Sequence, residues 1–169
     1  IGMLGLGFHP TATRDDISFM PKGRYRIMSR HMPKVGGLGL DMMLRSCTVQ
    51  VNLDYCDEAD MRQKFRTSLA LQPLATALFA NSPFKDGQPS GLLSSRAHAW
   101  TDTDPARCGV PACVFDPYFG YEQWIDYILD VPMYFLHRGD DYVDVAGQSF
   151  RDFLDGMLEG HEGQFPSMA

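Results

Sequence analysis

The stretch Ser46-Cys47-Thr48-Val49-Gln50-Val51-Asn52-Leu53-Asp54-Tyr55 decides how this chain is read. Cys47, Val49, Val51, Leu53 and Tyr55 alternate with Ser46, Thr48, Gln50, Asn52 and Asp54. A strict period of two over these ten residues predicts a strand with one apolar and one polar face. The polar face carries hydroxyls and amides, with a single carboxylate at its end. Amide side chains offer donors and acceptors at fixed positions, so the face suits either water or a polar ligand.

Working outward, residues 57–79 predict the longest helix. Asp57 is placed to cap it, Glu58 and Asp60 complement the dipole of its first turn, and Met61, Phe65 and Leu69 recur at i, i+4. Arg62, Lys64 and Arg66 fall mainly off that stripe and read as a solvated face, Pro73 predicts a kink, and Asn81-Ser82-Pro83 ends the element. Upstream, residues 1–8 read as a short buried strand, and a turn at Pro21 leads into a short helix that ends near Met32, before Pro33. Gly36, Gly37 and Gly39 form a flexible connection. Downstream, residues 85–111 have many turn formers and little periodicity, so they predict a long loop. Residues 121–136 look helical up to Pro132, with Trp124, Ile125, Ile128 and Leu129 on one face. Residues 141–145 suggest a short strand, and 149–158 a second amphipathic helix with Phe150, Phe153, Leu154 and Met157 inward. Strands and helices mix without βαβ regularity, which predicts an α+β fold with an antiparallel sheet, as a single region over residues 1–169.

Composition sets the outer bounds. The 169 residues are 44% hydrophobic and 21% charged, with 15 basic against 21 acidic side chains and a net charge of −6. That is too apolar for intrinsic disorder and enough for one core. A pI of 5.2 argues against a nucleic-acid partner, since phosphate backbones select clustered Lys and Arg. The longest apolar stretch, 68–80, is broken by Gln72 and Pro73 and is too short to span a bilayer. The apolar opening lacks a basic flank and does not read as a signal peptide, so a soluble, cytoplasmic protein with no membrane partner is expected. Cys47, Cys56, Cys108 and Cys113 show no Cys-x-x-Cys pair and are expected reduced, and His9, His31, His98, His137 and His161 never fall at zinc spacing. A chain that opens on Ile1 and stops after Pro166-Ser167-Met168-Ala169 is expected to be a piece of something larger.

Phosphate-loop, dinucleotide-fold and nucleophile-elbow motifs are absent. Two arginines stand in unusual company: Arg24 in a Gly-Arg-Tyr turn, and Arg96 in Leu93-Ser94-Ser95-Arg96-Ala97-His98-Ala99-Trp100-Thr101-Asp102. A guanidinium suits bidentate capture of carboxylate or phosphate, and each position also fits an ordinary surface arginine.

Taken together, the blocks say more. The run Met42-Met43-Leu44-Arg45-Ser46-Cys47-Thr48-Val49-Gln50-Val51-Asn52-Leu53-Asp54 is preceded by Met20-Pro21-Lys22-Gly23-Arg24-Tyr25. It is followed by Ala80-Asn81-Ser82-Pro83-Phe84, Trp100-Thr101-Asp102-Thr103-Asp104, Phe119-Gly120-Tyr121-Glu122-Gln123 and Asp130-Val131-Pro132-Met133-Tyr134-Phe135. In this order they resemble the glutamate-cysteine ligases of plants and alpha-proteobacteria, over essentially the whole chain.

The resemblance implies an ATP- and Mg2+-dependent enzyme that activates the γ-carboxylate of L-glutamate as an acyl phosphate for attack by the amine of L-cysteine, the first step of glutathione synthesis. It implies a curved antiparallel sheet of the glutamine synthetase-like half-barrel type, incomplete in this piece, with the ligands on its polar concave face. Arg24 and Arg96 look like the family arginines that clamp substrate carboxylate and the transferring phosphoryl group. Thr48 shares the polar face, Gln50 and Asn52 resemble positions facing metal and substrate, and Trp100 and Tyr134 match aromatics bordering the amino-acid pocket, where a packing role is the competing reading. Most metal-chelating carboxylates of the family lie N-terminal to this region, so the piece alone is expected to be inactive and to need the remainder of the enzyme. The plant regulatory cysteines correspond to Val145 and Gly160 here, so redox control at that hairpin is not expected, and Cys47 reads as packing. Other readings are a ligase of the same fold using another amine, a non-catalytic module binding a partner chain through an exposed sheet edge, and a thiol redox or metal protein built on Cys108 and Cys113.

Overall fold

A computed structural model describes residues 4–166. Its architecture is mixed α and β, in the order α1 (Gly23–Val35), α2 (Gly39–Arg45), α3 (Glu58–Leu78), β1 (Phe84–Lys85), β2 (Gln88–Pro89), α4 (Ser95–Thr101), a 3-10 turn (Ala112–Phe115), α5 (Tyr121–Asp130), β3 (Phe135–Arg138), β4 (Asp141–Asp144) and α6 (Phe150–Leu154). No helix of the described residues is long and apolar enough to cross a membrane. The strands form two separate antiparallel hairpins, β1–β2 and β3–β4, so the α+β expectation holds while no larger sheet forms within the described residues.

Helix α3 is built as its sequence predicts. Asp57 caps it, its carboxylate accepting from the Asp60 amide at 2.9 Å. Its first half packs Met61, Phe65 and Leu69 against Val114, Phe119 and Trp124, with the Phe65 and Trp124 rings edge to face at 4.8 Å. The polar face is less solvated than expected. Arg66 donates from Nε to the Val114 carbonyl at 2.8 Å and from Nη2 to the Asp116 carbonyl, clamping the 3-10 turn onto the helix. Lys64 pairs with Asp60 and donates to the Asp54 carbonyl at 2.7 Å. The helix continues through Pro73 to Leu78, and in its second half Leu71, Leu74 and Leu78 are exposed.

A second cluster sits at the other end. The hairpin β3–β4 pairs Leu136 with Val143 and His137 with Tyr142, and Leu136 joins Val145, Phe153 and Leu158 in a buried group. Helix α6 is shorter than expected, capped by Ser149 and closed at Gly156, whose φ of 69° ends the turn.

Several expectations are corrected. Residues 46–55 are not a strand: Phe8 bridges Ser46, and from Cys47 to Tyr55 the chain is irregular and exposed, Val49 to 91%. Alternation specifies faces, but a strand exists only where backbone groups find a ladder partner, and none lies beside this segment among the described residues. Of the expected strand 1–8, residues 1–3 lie outside the described residues, and only Phe8 makes a bridge. Helix α1 runs past Pro33 to Val35, because proline's fixed φ is helical and burial of Ile27 and Met32 outweighs the bias on the preceding residue. The Gly36–Gly39 connection gives way to α2, whose Gly39 lets the helix lie close on Met32, since a Cβ there would fall 3.0 Å from the Met32 side chain. The loop expected over 85–111 contains α4 and the β1–β2 hairpin, whose turn Asp86-Gly87 takes positive φ at both residues (53° and 75°), as a mirror-image two-residue turn requires.

Buried charge holds these pieces together. Arg45, 3% exposed, pairs with Asp41 at 3.0 Å and Asp86 at 2.7 Å and lies on the Phe8 ring at 4.7 Å, while Arg14 takes the second oxygen of Asp41. Burial pushes the Asp41 carboxyl up, but Arg14 and Arg45 outweigh it and hold it below the usual carboxylate range.

Candidate functional site

Arg96 lies in the first turn of α4, where Ser94 caps by accepting from the Ala97 amide at 3.1 Å. From there its Nη2 donates to Thr48 Oγ1 at 2.9 Å, joining residues 48 positions apart, and its guanidinium stands 5.9 Å from the Trp100 ring. Its Nε is buried without an acceptor. One arm of a planar fork is thus anchored at Thr48, while Nε lies buried and unpaired at its base.

The other expected site residues gather less tightly. Gln50 donates to Asn52 Oδ1 at 2.9 Å, and both are exposed. Two amides bonded to one another are not a magnesium cage, and no group of three His, Cys, Asp or Glu converges among the described residues, so these residues alone do not fit the metal. Arg24, in the first turn of α1, faces Tyr25 at 5.1 Å, and contact with Tyr25 and Tyr142 raises its pKa. It keeps separate company from Arg96.

Tyr134 is built into a constellation the sequence reading missed. Its hydroxyl donates to Asp104 at 2.8 Å, and Arg107 donates to the same oxygen at 2.7 Å while its guanidinium caps the Tyr134 ring at 3.7 Å. His31 meets the ring edge-on at 5.2 Å. Burial and then the bond to Asp104 push the phenol far above its ordinary value. Burial pushes Asp104 up in turn, but Tyr134 and Arg107 outweigh it and hold it low. The Tyr134 hydroxyl is therefore occupied with packing a buried carboxylate, and Arg107 opens onto a cavity of about 570 Å³ lined also by His137 and Arg138. The only signal for Asp104 and Arg107 was the run Thr101-Asp102-Thr103-Asp104, where spacing hides the contact with Tyr134.

Val145 is fully packed in the second cluster, and Gly160 stands in open space with φ 75°; neither of the positions that the resemblance matches to a cysteine pair carries sulfur. Cys47 is exposed rather than packed.

Comparison with known proteins bears on the chain as a whole. The chain is 61% identical over 168 residues to a chloroplastic glutamate-cysteine ligase of Medicago truncatula, 62% over 167 residues to that of Arabidopsis thaliana, and 60% over 168 residues to ligase B of Oryza sativa subsp. japonica. Each match covers 99% of this chain but 32–34% of the relative, so the chain spans about a third of the length of these proteins. Their names also overturn the cytoplasmic expectation, since they are chloroplastic enzymes. With the family described as glutamate-cysteine ligase family 2 (GCS2) matching residues 1–159, the chain belongs to that family.

Proposed function

We propose that this chain is the central portion of a ligase catalytic domain whose full-length protein joins the γ-carboxylate of L-glutamate to the amine of L-cysteine at the expense of ATP. The observation that carries the reading is family membership across residues 1–159. The Arg96–Thr48 contact, at 2.9 Å, supplies its local geometry.

In this reaction a γ-carboxylate oxygen of glutamate attacks the terminal phosphorus of ATP and ADP leaves. The cysteine amine then attacks the acyl carbon and phosphate leaves. Both steps ask the protein to align reactants and neutralise charge rather than to form a covalent bond. Arg96 receives an anionic group of the substrate on its terminal amino groups while Thr48 steadies the guanidinium through Nη2, and Trp100 bounds it on one side. Arg24 serves a second anionic group, Tyr134 forms a wall of the amino-acid pocket, and Gln50 and Asn52 turn their amides to the ligands. Mg2+ accompanies ATP, its carboxylate ligands coming from the part of the protein outside this chain.

The exposed alternation over 46–55 supports the half-barrel reading. Its apolar row, Val49, Val51 and Leu53, is 63–91% exposed in this chain and becomes the packed side of a strand once the remaining sheet is present. The chloroplastic relatives favour a plastid as the place of action.

The test is formation of γ-glutamylcysteine and ADP by the full-length protein, with Arg96→Ala alongside. Equimolar ADP and dipeptide, with a loss of at least about a hundredfold in the variant, is expected for a guanidinium that stabilises developing charge. ATP turnover without dipeptide, or with a different amine preferred, overturns the cysteine assignment.

A further inference from the structure

Three segments far apart in sequence converge on the stem of Arg96. Ser82 is 2% exposed, and its amide donates to the Leu93 carbonyl at 3.1 Å, its carbonyl accepts from the Ser95 amide at 2.9 Å, and its Oγ accepts from the Arg96 amide at 3.2 Å. The first turn of α4 is therefore docked on Ser82 by backbone and side chain together. Gly7 closes the other side. Its carbonyl accepts from the Cys47 amide at 3.0 Å, which places Thr48 beside Arg96. A Cβ at Gly7 would fall 2.7 Å from Asn81 Oδ1, 3.4 Å from Ser82 Oγ and 3.5 Å from Arg96 Cδ. Asn81 is itself held by donating to the Gly5 carbonyl at 2.8 Å.

We propose that Ser82 and Gly7 are positioning residues that aim Arg96 over Thr48, Ser82 by gripping the backbone from which the side chain springs and Gly7 by leaving room for its stem. The inference rests on the ligase reading above. Neither residue touches the substrate. Both act through the direction of one guanidinium, whose Nε has no acceptor of its own and whose Nη2 has only Thr48. An arginine left free would sample many rotamers, and the fraction aimed at the anion would fall accordingly.

The experiment uses the full-length enzyme with Ser82→Ala, Gly7→Ala, Gly7→Val, Arg96→Ala and the double variant Ser82→Ala/Arg96→Ala. For each, kcat, the KM values for glutamate, ATP and cysteine, and the Tm are measured. Ser82→Ala is expected to raise roughly three- to tenfold the same Michaelis constant that Arg96→Ala raises, as the loss of one hydrogen bond would, with the cysteine KM unchanged. Gly7→Ala displaces chiefly the Asn81 amide and costs less than Gly7→Val, which reaches the Arg96 stem. In the double variant Ser82→Ala adds nothing, because its effect runs through a guanidinium already gone. Additive losses in the double variant, or wild-type constants for Ser82→Ala and Gly7→Val beside an impaired Arg96→Ala, overturn the positioning role alone. Wild-type constants for Arg96→Ala overturn the ligase role of Arg96, and the positioning role falls with it. Should Ser82→Ala fold poorly, the graded Gly7 pair decides the matter.

Discussion

Two extended stretches of this chain have met different fates. Residues 46–55 alternate over ten positions, yet make one bridge at Ser46 and lie exposed beyond it. The hairpin Phe135–Asp144 alternates far less clearly, yet pairs over four registers and covers a buried cluster. The hairpin carries its partner two residues away, across the turn Gly139-Asp140, and the core lies directly beneath it. The longer segment needs a partner that is distant in the chain. Pattern tells which side chains would face together, while locality of the partner decides whether the strand forms in the piece at hand.

The largest effect that sharpens this contrast is Phe153→Ala. It opens a cavity under the hairpin and is expected to cost about 3–5 kcal/mol in urea unfolding of this chain, with protection of the Leu136 and Val143 amides lost in hydrogen exchange. Next comes the charge buried beside the hairpin. Asp104→Asn weakens the bonds from Tyr134 and Arg107 and is expected to cost about 2 kcal/mol in the same measurement. The sign of its pH dependence follows from the direction of the shift. Asp104 and Asp41 are both held below their ordinary values, so their stabilisation is complete above the unfolded carboxylate pKa of about 3.9 and is lost as pH falls through the lower folded values. The Tm of the wild type should fall steeply from pH 4 to 2 on the order of several degrees, and that of Asp104→Asn less steeply.

A smaller loss, about 1 kcal/mol, is expected for Asp57→Ala, which removes the cap of α3 just after the free segment. The smallest effect breaks or confirms the comparison outright. Val51→Ala should change the stability of this chain by less than about 0.5 kcal/mol, and that of the full-length protein by more than about 1 kcal/mol if the segment packs there as a strand. Equal, large losses in both would show that residues 46–55 already form a strand unaided.

What the sequence revealed follows the same division. Helix α3 with its Asp57 cap, helix α5, strand β4 and the presence of α6 were legible because their signals are local. Helices α2 and α4 escaped because each has seven residues, too few for a period to show, and because glycines and serines at their starts read as loop. The site was legible only as far as the family blocks carried it. Nothing in spacing brings Thr48 to Arg96, and Asp104 looks like a turn residue until Tyr134 arrives from thirty positions away. Arg66 was read as solvated because an i, i+4 stripe shows which residues point inward and says nothing of a guanidinium reaching around to backbone carbonyls.

The Asp86-Gly87 turn also bears on how the protein ages. An aspartate followed by glycine is prone to cyclise when the following amide nitrogen attacks its side-chain carbonyl, leaving a rearranged backbone. Here both reacting groups are engaged elsewhere: the carboxylate with Arg45 at 2.7 Å, and the Gly87 amide with the Pro10 carbonyl at 2.9 Å. The ion pair that steadies the interior thus also guards a chemically fragile bond at the surface, and a chain that loses Arg45 would accumulate isoaspartate at position 86 on storage.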